Sequence, residues 1–174
     1  EVDGSPDIAS LIRWDLSDIP VGSTVTSVTI ELAITNSTSD TYEIYALQRA
    51  WDEMSATWNQ AADGTPWSTG GAAGSDDRGS TVLGQLASSR TGTYQVTLNA
   101  AGLATVQSWI DSPSTNHGII FQDYLDAKNG VDFASRESTD VTQRPKLTIA
   151  YQPPTTSTNP TNQAPLVSAG RDQT

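Results

Sequence analysis

The chemistry open to this chain is bounded first by what it lacks. It has no cysteine and a single histidine, His117. Without a thiol there is no disulfide, no thiolate metal site and no cysteine nucleophile. A Ser–His–acid triad needs its imidazole between nucleophile and acid. His117 instead stands just before Gly118, at the start of an apolar run, where a turn or surface role suits it. No P-loop, GxGxxG or HExxH pattern occurs. The 20 acids let a carboxylate pair for glycoside cleavage be drawn almost anywhere, so no particular pair is marked out. The expectation is a protein that does no catalysis.

Binding chemistry is better represented. Five tryptophans are present. An exposed indole can stack on the apolar face of a sugar ring while the sugar hydroxyls reach polar groups. Trp14 falls in phase with apolar strand residues, Trp109 sits beside a helical stripe, and Trp51 and Trp58 share the segment WDEMSATW; these four are expected in the core. Trp67, between Pro66 and Ser68 in a Gly-rich passage, is the tryptophan expected to be exposed and to serve as a ligand platform. Asp76 and Asp77 in GSDDRGS form a compact carboxylate pair. With Asp63, or with Asp123, Asp126 and Asp132, they could supply oxygen ligands to Ca²⁺, although the spacing matches no EF-hand and a solvated acidic surface accounts for them equally. Arg78 in the same loop and Arg136 are candidates for ligand contact. The Arg136 fork could hold a uronate carboxylate, or pair internally to pin the last hairpin. Neighbouring strand residues point to opposite faces, so only one of Arg136 and Glu137 would face a ligand.

The balance of 9 basic against 20 acidic residues gives a net charge of −11 and a pI near 4.2. Such a surface repels phosphate backbones and anionic lipid, which argues against nucleic-acid and membrane-surface partners. No apolar run reaches the roughly 18 residues of a membrane span. The only lysines are Lys128 and Lys146, and Ser and Thr together outnumber the charged residues. This composition fits a secreted or surface protein of a microbe. The chain opens inside an apolar alternation without Met, as a segment of a longer protein would.

Side chains of this kind need a scaffold, and the hydrophobic pattern supplies strands. Ile8 to Leu16 alternates, with Ile12, Trp14 and Leu16 on one parity. Val25 to Thr35 is the clearest strand, with Val28, Ile30, Leu32 and Ile34 on one face. NSTSD at 36–40 reads as a turn, and Tyr42 to Leu47 as its antiparallel return. Asn36-Ser37-Thr38 also matches a glycosylation sequon, a triplet common by chance in so Ser/Thr-rich a chain. Asp52 to Ser80 is longer than ordinary loops, and its tryptophans predict that it folds onto the body. Tyr94 to Leu98 alternates again. Asn99 reads as an N-cap, with Leu103, Val106 and Ile110 on one helical stripe ending before Pro113. Gly118 to Tyr124, Val131 to Ser135 and Lys146 to Tyr151 complete the strands, Arg144-Pro145 setting the start of the last. The fold class is therefore all-β: an antiparallel, jelly-roll-like β-sandwich with one short helix. Its expected core is Trp14, Ile30, Leu32, Trp51, Val96, Ile120 and Leu147. After residue 151 the composition changes to an uncharged Pro/Thr linker over 152–163, and 164–174 resumes an apolar note.

Six segments in order, VDGSP, LIRWDLSDIP, WDEMSATWN, STNHGIIF, VDFASRE and RPKLTIAY, resemble the DNRLRE domain, also called the disaggregatase-related repeat, over residues 1–151. The resemblance implies a jelly-roll-like sandwich in extracellular multidomain proteins, some classed as carbohydrate-binding modules, with alginate as one target class. Members usually carry a further strand before the VDGSP-like segment, which this sequence lacks. The ending NQAPLVSAGRDQT is similar to the opening of PKD or Ig-like domains. Two functions stay open. One is a polysaccharide-binding module or surface spacer. The other is a subunit of an extracellular fibre, in which the tail around Leu166 and Val167 docks as a short strand on a neighbouring module or another copy.

Overall fold

The computed structural model describes residues 1–4, 7–123, 125 and 128–154. Leu166 and Val167, with the linker from 155 onward, lie outside the described residues, as do Tyr124 and Asp126. The strands are β1 (Asp3–Gly4), β2 (Asp7–Ile8), β3 (Ser10–Ile12), β4 (Thr24–Asn36), β5 (Tyr42–Ala46), β6 (Gln60–Ala62), β7 (Thr65–Pro66), β8 (Gly84–Leu86), β9 (Gly92–Thr97), β10 (Ile119–Gln122), β11 (Asp132–Phe133) and β12 (Lys146–Gln152), with one helix, α1 (Ala100–Asp111). All pairings among them are antiparallel.

The longest strand organises the first sheet. On one side of β4 lies β9, which sets Val96 opposite Ile30; on the other lies β12, which sets Leu147 opposite Ile30 and Ile149 opposite Val28. Further along that second side β11 places Phe133 opposite Ile34. The alternation of β4 thus sends Val28, Ile30, Leu32 and Ile34 to one buried face. The second sheet runs β3-β10-β5-β8. Its inward residues, among them Ile44, Ile119 and Phe121, meet the β4 face in one core. The Phe121 and Phe133 rings close one side of it, with centroids 5.6 Å apart. The Asn99 side chain accepts from the Gly102 N–H at 3.0 Å and caps α1, which buries Val106, Trp109 and Ile110. Gln107 ties the helix to the start of β4, accepting from Val25 N–H and donating to Ser23 O, each at 2.9 Å.

Two expectations are corrected here. Tyr42 to Leu47 does not return beside β4. The chain crosses to the other sheet, where β5 lies between β10 and β8. A corner built on Asp40 makes the crossing: its carboxylate accepts from Lys128 N–H at 2.6 Å and Asn129 N–H at 2.8 Å, and Tyr42 Oη donates to Asn129 O at 3.0 Å. Thr38 of the sequon is buried in this corner, its hydroxyl bonded to Asn129 O. The second correction concerns the core. Ile120 and Trp51 belong to a separate apolar cluster on the outer face of the second sheet, with Tyr45, Leu47, Ala61, Trp67 and Ala72. β10 is therefore buried on both faces. Its unbroken run Ile119-Ile120-Phe121 is the pattern of a strand covered on both sides.

Candidate functional site

The passage from Arg49 to Gly79 lies on the second sheet, as its tryptophans predict, and a single carboxylate holds much of it in place. Asp77 is fully buried and accepts from Ser68 N–H at 2.9 Å, Ser68 Oγ at 2.7 Å, Thr69 N–H at 3.0 Å and Gly74 N–H at 3.2 Å. Arg49 Nη1 adds an ion pair at 3.1 Å and also donates to Pro66 O at 2.9 Å. Burial pushes the Asp77 carboxyl up, but the donors from Ser68, Thr69 and Arg49 outweigh it and hold it below the ordinary aspartate value. Gly74 has to be glycine here, because a Cβ would stand 1.9 Å from Ser68 Oγ and 2.8 Å from Asp77 Oδ2.

This arrangement revises the proposed Ca²⁺ pair. The Asp77 carboxylate faces inward to hydrogen-bond donors, where a cation would need further acceptors. Asp76 is exposed and does not join it. Asp123 Oδ1 accepts from Leu125 N–H at 2.9 Å, and Asp132 lies in β11 opposite Asn36. Among the described residues no three His, Cys, Asp or Glu side chains group closely enough to hold a metal.

The roles of two tryptophans are exchanged relative to expectation. Trp67 is only 6% exposed, with its indole N–H donating to Thr57 O at 3.0 Å. Trp58, expected in the core, is 42% exposed and lies against Gly70, where an added Cβ would be 2.6 Å from its indole nitrogen. Trp51 is half-buried and donates to His117 O at 2.8 Å. The Arg13 guanidinium lies over its ring, 6.0 Å from the centroid. Burial, with Arg13 nearby, keeps the His117 imidazole below its usual value.

Between this passage and the sheet lies a cavity of about 450 Å³, walled by Trp51, Trp58 and Trp67, by Ile8 and Leu11 of the β2–β3 segment, and by Ile120. A second cavity of about 500 Å³ follows β3 onward, between Ser10 to Asp15 and the segment Phe133 to Pro145. Leu11, Trp51 and Glu53 line both. Trp14 lines the second, its indole N–H donating to Pro145 O at 3.3 Å. Together the two make a groove along β3.

Of the sequence-selected residues, Trp67 and Arg136 line this groove, in the first and second cavity respectively. Arg136 Nε forms ion pairs with Glu53 Oε1 at 2.7 Å and with Glu137 Oε1 at 2.9 Å. Arg136 and Glu137 thus do not face opposite ways on a strand; β11 ends at Phe133 and the following turn brings the two side chains together. Arg78 is used elsewhere. Its guanidinium stacks 3.9 Å from the Tyr45 ring centroid, and it donates to Gln122, whose amide oxygen accepts at 3.0 and 2.8 Å when turned toward it. Tyr45 in turn donates to the Glu43 carboxylate. Arg13, Glu53 and Leu11 were not singled out from the sequence. The consecutive apolar pair Leu11-Ile12 was the available signal for Leu11, since a strand with one wet face needs only alternate apolar residues. No protein-family model matches the chain, and no curated protein matches it in sequence.

Proposed function

We propose that this is a non-catalytic, extracellular β-sandwich module that binds polysaccharide in the groove along β3. The observation that carries the reading is the pair of adjoining cavities that share Trp51, with the half-exposed indole of Trp58 at one end and Trp14 at the other. Sugar rings present apolar faces that pack on indole, and equatorial hydroxyls that bond to planar carboxylates and guanidinium groups. Glu53 and Arg136 are such groups, and their mutual ion pair positions both. The ordered segments that resemble the DNRLRE domain agree with this function. The test is titration calorimetry against a panel of soluble oligosaccharides, with Trp58→Ala as the control. Loss of one stacking ring should weaken binding about tenfold, or ~1.4 kcal/mol, without loss of fold. Absence of binding across the panel would refute the reading.

A further inference from the structure

Taking the glycan reading as its premise, we infer that the groove selects sugars bearing protonated amino groups and rejects uronates. Its charged side chains are mostly acidic: Glu1, Asp7, Asp15, Glu53 and Glu137 stand against Arg13 and Arg136. The cavity with the three indoles is lined by Asp7 and Glu53 and by no basic side chain. The guanidinium best placed for a uronate already faces two carboxylates, Arg136 Nε standing 2.7 Å from Glu53 Oε1 and 2.9 Å from Glu137 Oε1. A uronate carboxylate bonded to the Nη groups of Arg136 would sit close to both of these carboxylates, like charge beside like charge. Arg13 lies over the Trp51 ring and is the remaining cation of the groove. The overall charge of −11 opposes an approaching polyanion at long range. An ammonium group gains from the same features: it donates to the carboxylates, and an indole face attracts cations.

The experiment uses the full chain at mildly acidic pH, where sugar amines are charged and carboxylates remain ionised. Three probes of equal length are compared by calorimetry: an oligomer of glucosamine, its N-acetylated counterpart and an oligouronate. The glucosamine oligomer should bind tightest, by about tenfold over the acetylated form, and its advantage should shrink as salt is raised. Asp7→Asn should weaken the glucosamine oligomer alone, whereas Trp58→Ala should weaken it and the acetylated form alike. Equal or tighter binding of the acetylated oligomer, or of the oligouronate, overturns the inference and leaves the glycan reading standing. If none of the three binds and the wider panel also fails, the glycan reading falls and takes this inference with it.

Discussion

Arg49 and Asp77, 28 residues apart, meet at 3.1 Å beneath the loop that carries three of the tryptophans. The carboxylate is fully enclosed and the guanidinium about one-third exposed. The pair sits where the chain enters and leaves this passage, and adds a charge-assisted contact to the antiparallel Leu47–Arg78 bridge, where Gln48 N–H donates to Asp77 O at 2.8 Å and Gly79 N–H to Ala46 O at 2.9 Å.

Removing one partner should therefore loosen the passage as a unit. Asp77→Ala leaves the Ser68, Thr69 and Gly74 N–H groups and the Arg49 guanidinium without their acceptor. The expected loss is about 3 kcal/mol in urea unfolding. Arg49→Ala should cost less, because its side chain is partly solvated.

Acid should act through the same group. The folded pKa of Asp77 lies below its unfolded value, so its stabilisation is complete above about pH 5 and disappears as pH falls through the folded value. Asp40, held down chiefly by the Lys128 and Asn129 N–H groups, acts in the same direction. Stability measured between pH 6 and pH 3, roughly the range over which aspartates titrate, should decline, and Asp77→Asn should flatten part of that decline.

Trp67→Ala and Trp58→Ala should separate support from contact. Trp67 is buried against Tyr45, Leu47 and Ile120, and its truncation should cost about 3–5 kcal/mol. Trp58 is 42% exposed, so its truncation should move the unfolding midpoint little. Equal destabilisation by both variants would contradict the exchange of roles described above.

Two phenols should titrate late. Burial, joined by the acceptor and charge of Glu43, pushes Tyr45 up to about 12, and burial with Asp3, Asp40 and Asp123 nearby pushes Tyr42 to about 12. Phenolate absorbance in an alkaline titration should show a component near that value, reduced in Tyr45→Phe.

Much of the scaffold was legible in the sequence, because β alternation and helix capping are local codes. The parity of Val28 to Ile34, the Asn99 cap with the stripe through Ile110, and the strand at Lys146 are each written in consecutive residues. The long tryptophan-bearing passage could be recognised as folded onto the body from its composition. Which strands pair was not local. NSTSD reads equally as a hairpin turn and as the sheet-to-sheet corner that Asp40 and Asn129 make it. Nor could a linear pattern rank the tryptophans: Trp67 turns inward because the knot at Asp77 folds its loop over Ile120, while Trp58 is left half outside against Gly70. The groove is a tertiary object altogether. Leu11, the Trp51–Glu53 segment and Arg136 come from distant parts of the chain, and only the packing of loop on sheet, driven by burial of a second apolar cluster, brings them together.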